Sequence, residues 1–240
     1  MAIAFDAATG MGFGFVTTAT VAHTCTGSDR ILIVATANQQ GGISITSITY
    51  NSVALTFIRA DDGATGARSE IWYLLAPSTG ANNIIVTPSG GGTRLAVGAI
   101  SLTGVTQSSP IGATNGATGS GTGPSVALTT TVANSWIVSN CASEGDTVTS
   151  TPGANETERY QANGSSSPAA SRSNVAGNTE VSTTTGSYTM SNTLSASVDF
   201  GLSAIEIKEA TVSTSVYAKN IIAGVFQKTV LAGITLKEID

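Results

Sequence analysis

His23 and Cys25 stand two residues apart in Val21-Ala22-His23-Thr24-Cys25. Alternate residues of an extended chain share a face, so a strand here sets an imidazole beside a thiol, the material of a nucleophile and its base. Such a pair needs a third group to orient the ring, and no neighbouring residue is marked for that role. His23 is the only histidine of the chain, and no Gly-x-Ser-x-Gly turn offers a serine nucleophile. The expectation is a structural histidine near a strand end and a protein that is not an enzyme. A hydrolase, with a pocket converging on His23 or on paired carboxylates, is the alternative.

Asp61, Asp62 and Glu70 flank one turn, and Glu144 and Asp146 another. Hard oxygen ligands on β-sandwich loops can hold Ca²⁺, but hairpin turns are also acidic for reasons of local hydrogen bonding. The expectation is no metal and no cofactor. Trp72, Tyr50 and Tyr160 are the aromatics that could stack on a sugar. Trp72 and Tyr73 alternate on one strand, which points one inward and the other outward. Gly116-Ala117-Thr118-Gly119-Ser120-Gly121 satisfies a loose phosphate-loop pattern, yet a strand rather than a helix follows it, and the reading is discarded. Cys25 and Cys141 are far apart and read as two reduced, buried thiols.

The chain has 240 residues, of which 10% are charged, with 10 Lys and Arg against 15 Asp and Glu for a net charge of −5. A nucleic-acid partner calls for a basic stripe and an anionic membrane for a polybasic segment; neither partner is expected. The apolar runs Ile31–Ala37 and Arg94–Val105 fall short of the roughly 18 residues of a membrane helix. Met1 to Gly10 has no basic start, apolar stretch or cleavage site, so no signal peptide is expected.

Helical periodicity is nearly absent, while β-branched runs recur between turn residues. Phe13–Thr24, Ile31–Ala35, Ser69–Leu75, Asn83–Thr87, Arg94–Leu102, Ser125–Val132, Ser135–Ala142, Ser187–Asn192 and Val198–Lys208 read as strands, with weaker ones at Thr157–Gln161 and Ala169–Asn174. Ser47–Tyr50 and Val53–Ile58 form a hairpin around Asn51-Ser52. Ser108–Pro124 is almost all Gly, Ala, Ser and Thr, buries little, and reads as a surface loop. The fold class is all-β: a two-sheet antiparallel sandwich, jelly-roll-like, over residues 1–209, with a short C-terminal β extension over 210–240.

That extension repeats with a period of nine: Lys219-Asn-Ile-Ile-Ala-Gly-Val-Phe-Gln, then Lys228-Thr-Val-Leu-Ala-Gly-Ile-Thr-Leu. Repeats this short cannot make a core alone. Ile221, Val225, Phe226, Val230, Leu231 and Ile234 must be covered by something else, either the parent sandwich or other chains. Docking or oligomerisation is expected, with a trimer favoured.

His23-Thr-Cys-Thr-Gly-Ser-Asp-Arg-Ile-Leu-Ile-Val, Ile48-Thr-Tyr-Asn-Ser-Val-Ala-Leu-Thr, Ile71-Trp-Tyr-Leu-Leu-Ala-Pro-Ser-Thr-Gly, Gly98-Ala-Ile-Ser-Leu-Thr-Gly-Val and Leu202-Ser-Ala-Ile-Glu-Ile-Lys occur in that order. Together they resemble a family of poorly characterised β-sandwich modules of bacterial surface proteins and tailed-phage virion proteins. The resemblance implies an extracellular or virion-surface module and supplies no catalytic residues. With no signal peptide and with the nonamer tail, it implies the phage branch: a virion structural protein on the particle surface, as capsid decoration, head fibre or tail appendage, with other virion proteins and itself as partners. A carbohydrate-binding or adhesin module contacting host glycans is the alternative.

Overall fold

Ile31–Gln39, strand β3, is buried at every position but the last. Ile31, Ile33, Ala35 and Ala37 enter one core, and Leu32 and Val34 enter another. A strand apolar on both faces belongs to an inner layer with a core on each side, and the whole molecule is built that way. The computed structural model describes residues 2–39, 43–64, 66–145, 148–164 and 173–210. The tail residues Ile221, Val225, Phe226, Val230, Leu231 and Ile234 lie outside them.

Among the described residues seventeen strands, numbered in chain order, form four antiparallel sheets. The first inner sheet orders β1 (Ala4–Val16), β9 (Thr93–Thr103), β3, β7 (Ala67–Leu75) and β6 (Thr56–Asp62). Its outer partner orders β2 (Ala19–Cys25), β8 (Gly80–Pro88), β4 (Ile45–Tyr50) and β5 (Val53–Ala54). The second inner sheet orders β10 (Ile111–Gly121), β17 (Val198–Ile207), β12 (Ser135–Glu144), β15 (Ser173–Ser182) and β14 (Thr157–Asn163). Its outer partner orders β11 (Ser125–Thr129), β16 (Ser187–Leu194) and β13 (Ser150–Pro152). One core fills the space between the two inner sheets, with Ile33, Ile71, Ile100, Val138, Val175 and Ile205 among its members. Two further cores lie between each inner sheet and its outer partner. The expected sandwich of two sheets is thus two sandwiches packed back to back.

The two sandwiches are copies of one topology. The order β1-β9-β3-β7-β6 recurs as β10-β17-β12-β15-β14, and β2-β8-β4 recurs as β11-β16-β13. In the first copy, β1-β9-β3-β7 facing β2-β8-β4-β5 is the strand order of a jelly roll, with β6 added at one edge. Registers repeat too: Ile31 pairs with Leu102, and Trp136 with Ile207, each partner 105 residues later. The bulge between Phe57 and Arg59 against β7 recurs between Glu158 and Tyr160 against β15. Asp29 and Asn134, also 105 apart, both enter the following strand through positive φ, at 49° and 56°; Asp and Asn tolerate that conformation better than other L-residues.

The copies meet as an isologous pair would. β1 packs on β14 as β10 packs on β6. Gln39 and Glu144, equivalent residues at the ends of β3 and β12, bond to each other at 2.9 Å. Close approach of the inner sheets requires glycine. A Cβ on Gly98 would lie 2.0 Å from Tyr160 Cε2, and one on Gly177 would lie 2.1 Å from its Cζ.

Ser108–Pro124, expected to be a loop, contains β10. Its small residues are required by neighbours rather than by flexibility. A Cβ on Gly112 would meet Glu206 Oε2 at 2.1 Å, and one on Gly116 would meet Asp61 Oδ1 at 2.0 Å. Phe13–Thr24 is divided at Thr17-Thr18 between an inner and an outer sheet. The Asn51-Ser52 hairpin forms as expected, with φ of 47° and 66°. Its second strand breaks after Ala54, so that β6 crosses to the inner sheet.

Candidate functional site

His23 is buried on the inward face of β2. Ser101 Oγ donates to Asp6 Oδ2 at 2.7 Å, so its oxygen accepts from His23 Nε2, 3.1 Å away. Nδ1 then accepts from the Thr9 hydroxyl at 3.0 Å. Burial pulls the imidazole down to about 4, against the opposing pull of the Asp6 charge, and the ring is neutral at pH 7. In a serine hydrolase the imidazole sits between the hydroxyl and the carboxylate. Here the serine sits between them, fully enclosed, and the chain of contacts ties β1, β2 and β9 together.

The Asp6 carboxylate also accepts the backbone N–H of Thr26 at 2.8 Å and the Thr26 hydroxyl. Burial works to raise its pKa, but the bonds from Thr26 and Ser101 outweigh it and hold the carboxyl below its ordinary range. The second copy builds the same clasp from another strand. Thr131 gives its N–H at 2.9 Å and its hydroxyl at 2.8 Å to Glu206, which also accepts from Ala113 N and Val132 N. These bonds likewise overcome burial and lower the Glu206 pKa. Glu206 stands where the first copy has Ser101, and Gly112 where it has Asp6.

The aromatics taken as sugar contacts are core residues. Tyr50 is fully buried and Trp72 and Tyr160 nearly so, which leaves no open ring face for stacking. Trp72 Nε1 donates to Glu70 Oε2 at 3.2 Å, Tyr50 Oη donates to the His23 or Gly80 carbonyl, and Tyr160 Oη donates to Asn140 Oδ1 at 2.9 Å. Tyr73, expected on the opposite face, is half-buried against the central core.

The acidic cluster is dispersed by the pleat. Asp61 turns to the central interface, held by both Arg59 Nε and Nη2 at 2.8 and 2.6 Å and accepting from Ser203 Oγ at 2.5 Å. Glu70 turns to the first outer core, where Arg68 Nε holds it at 2.6 Å and Ile45 N donates at 2.9 Å. Asp62 pairs with Arg68 on the surface. Glu144 takes the Gln39 amide, and Asp146 lies outside the described residues. Among the described residues no three His, Cys, Asp or Glu side chains gather into a metal-holding group. Cys25 and Cys141 are free and buried in different outer cores, and burial pushes Cys141 up to about 12.

Two features were not legible beforehand. Asn51, Ser52, Asn82, Asn83 and Ile85 line a shallow uncharged groove of about 310 Å³ at the end of the first outer sheet. In the second sandwich, Glu156 of the turn before β14 approaches Asn178 and Glu180 of β15. Asn178 Nδ2 donates to Glu156 Oε2 at 3.0 Å, while Ser191 N donates to Oε1 at 2.7 Å. Burial raises both carboxyls, and the Glu156 charge raises Glu180 further. The one signal was Asn178 and Glu180 at strand spacing; Glu156 is distant in sequence.

The strands of the two outer sheets read ATVAHTC, GANNIIVTP, ITSITY and VA in the first copy and SVALT, SYTMSNTL and STP in the second. None contains Asp, Glu, Lys or Arg. Most of their exposed positions carry Thr, Ser, Ala and Asn, as at Thr20, Thr24, Asn83, Ser125, Thr129 and Thr189, with Val53 and Ile85 as the exposed large apolar side chains. Comparison with protein-family models, with curated proteins and with solved structures finds no match for this chain. No helix among the described residues is long and apolar enough to cross a membrane.

Proposed function

We propose that the chain is a structural protein of a bacteriophage particle, a non-catalytic module displayed on the virion surface and held there by its C-terminal segment. The observation that carries this reading is the pair of charge-free outer sheets, one on each side of the four-layer stack. Free soluble proteins keep apart through surface charge. Wide faces of Thr, Ser and Asn suit contact with neighbouring copies and with the medium outside a cell. His23, Asp6, Ser101 and Glu206, the groups with chemistry to offer, are engaged in holding strands together.

Particles purified from a lysate by density-gradient banding should contain this chain at a fixed copy number, and antibody against it should label their surface. A chain confined to the soluble fraction would refute the assignment. A second reading, contact with a neutral glycan, draws on the groove at Asn51, Asn82 and Asn83, where amides stand beside the apolar Ile85. Binding on a glycan array that is lost in Asn83→Ala would favour it.

A further inference from the structure

Glu180 is buried to nine-tenths, and among the described residues no hydrogen-bond donor or cationic side chain meets it. The group that faces it is another carboxylate, Glu156, whose charge opposes its ionisation. Arginines answer Asp61, Asp62 and Glu70, and backbone N–H groups answer Glu206. Glu180 has neither. Arg159, on the adjacent strand β14, donates to Thr179 Oγ1 at 2.8 Å and lies 4.2 Å over the Phe5 ring. Thr179 lies between Asn178 and Glu180 in sequence, so its side chain leaves β15 on the opposite face, and the guanidinium is on the wrong side of the sheet.

Asn178 adds a third oxygen. Its side chain is fully buried. Because Glu156 accepts the amide nitrogen, the amide oxygen is turned to the remaining side, where it is buried with no hydrogen-bond partner. A buried carbonyl oxygen without a donor is costly, and two neighbouring carboxylates oppose each other's ionisation. One species relieves all three: a small hard cation, which takes carboxylate and amide oxygens as ligands.

We propose that Glu156, Glu180 and the Asn178 amide oxygen form a divalent-cation site of Ca²⁺ type within the second sandwich. The turn carrying Glu156 would then be clamped to β15 by the ion, and water would complete the coordination. This proposal stands apart from the virion assignment, since it makes no claim about what the faces of the molecule contact.

The test uses the full chain at pH 8, where both carboxyls are available. Thermal unfolding is followed in EDTA and in millimolar CaCl₂, with calorimetric titration of CaCl₂ alongside. The expected result is one Ca²⁺ per chain and a rise in Tm of about 5 °C or more when the ion is in hundredfold excess over its Kd. In Glu180→Gln the rise should vanish, while the Tm in EDTA should equal or exceed that of the parent, because a charge opposing Glu156 has gone. No heat of binding and no Tm rise in the parent would overturn the site, as would an equal rise in Glu180→Gln. A Ca²⁺-insensitive parent whose Tm falls from pH 6 to pH 8 would mean that the two carboxyls share a proton instead, and would equally overturn it. Calorimetry on the parent decides the matter even if the variant does not fold.

Discussion

Thr26 and Thr131 occupy one place in two copies of the same fold, and each turns its backbone N–H and its hydroxyl onto a carboxylate. The carboxylate itself does not occupy one place. In the first copy it is Asp6, from the bulge of β1, bonded to Ser101 of β9. In the second it is Glu206 of β17, at the position of Ser101, reaching over Gly112, at the position of Asp6. A Cβ on Gly112 would collide with that carboxylate at 2.1 Å. Two positions have exchanged the duty of supplying one charge.

The exchange predicts a rescue. Glu206→Ser removes the acceptor of three part-buried backbone N–H groups and should cost about 1–3 kcal/mol, the range for bonds to a charged acceptor. Adding Gly112→Asp recreates the arrangement of the first copy and should recover at least half of that loss. Urea unfolding of the parent, both single variants and the double variant gives the coupling directly. Additive losses would mean that the two clasps are not equivalent.

A pH effect follows from His23. The unfolded side chain takes a proton near 6.5, whereas the folded one does so at about 4. Between these values the unfolded chain binds more protons, so stability rises with pH across the window and is lost as pH falls through it. The full difference amounts to about 3 kcal/mol. Denaturation measured from pH 7 to pH 4 should show this loss in the parent and a clearly shallower one in His23→Gln, whose amide keeps one bond to Ser101. Parallel profiles would place the acid sensitivity elsewhere.

Gly98→Ala tests the spacing of the inner sheets. The new methyl would meet the Tyr160 ring, which Gly177 blocks from the other side, so the ring cannot give way. Overpacking of this kind costs about 1–3 kcal/mol or more. Gly123→Ala, where no atom lies within 4 Å and φ is ordinary, should leave Tm within a degree or two, consistent with the small effect of surface changes.

The thiols give a reactivity prediction. Cys25 and Cys141 are buried in separate outer cores, and burial raises both pKa values. A thiolate-selective reagent should modify neither in the native chain and both after unfolding without reductant. Modification of either at native conditions would show that its core opens.

The strand texts carried the fold class, because Ile31–Ala35 is apolar on both faces, Arg94–Leu102 reads as an internal strand, and the outer strands alternate. The duplication was hidden because only burial direction repeats. Ile31 and Trp136, or Leu32 and Ile137, share a core face without sharing a side chain, and Ala99-Ile100 against Ala204-Ile205 is a rare literal match. β10 was hidden because glycine there answers to Glu206 and Asp61 from other strands. The sugar-contact reading of Trp72, Tyr50 and Tyr160 failed for a related reason: alternation gives a side chain's face, not whether another layer covers that face. Asp61 and Glu70 look clustered in sequence and are separated by the pleat, while Glu156 and Glu180 look separate and are brought together by the turn before β14.

The central claim is that this is an assembly module whose last thirty residues dock it, and the most direct measurement is the mass in solution of the full chain and of a chain ending at Ala210. The described strands close every core by Ile207, so the shortened chain should remain folded. Light scattering should give an oligomer, with a trimer favoured, for the full chain and a folded monomer for the shortened one. A full chain that is monomeric and fails to join particles, or a shortened chain that keeps the same oligomeric mass, would contradict the account.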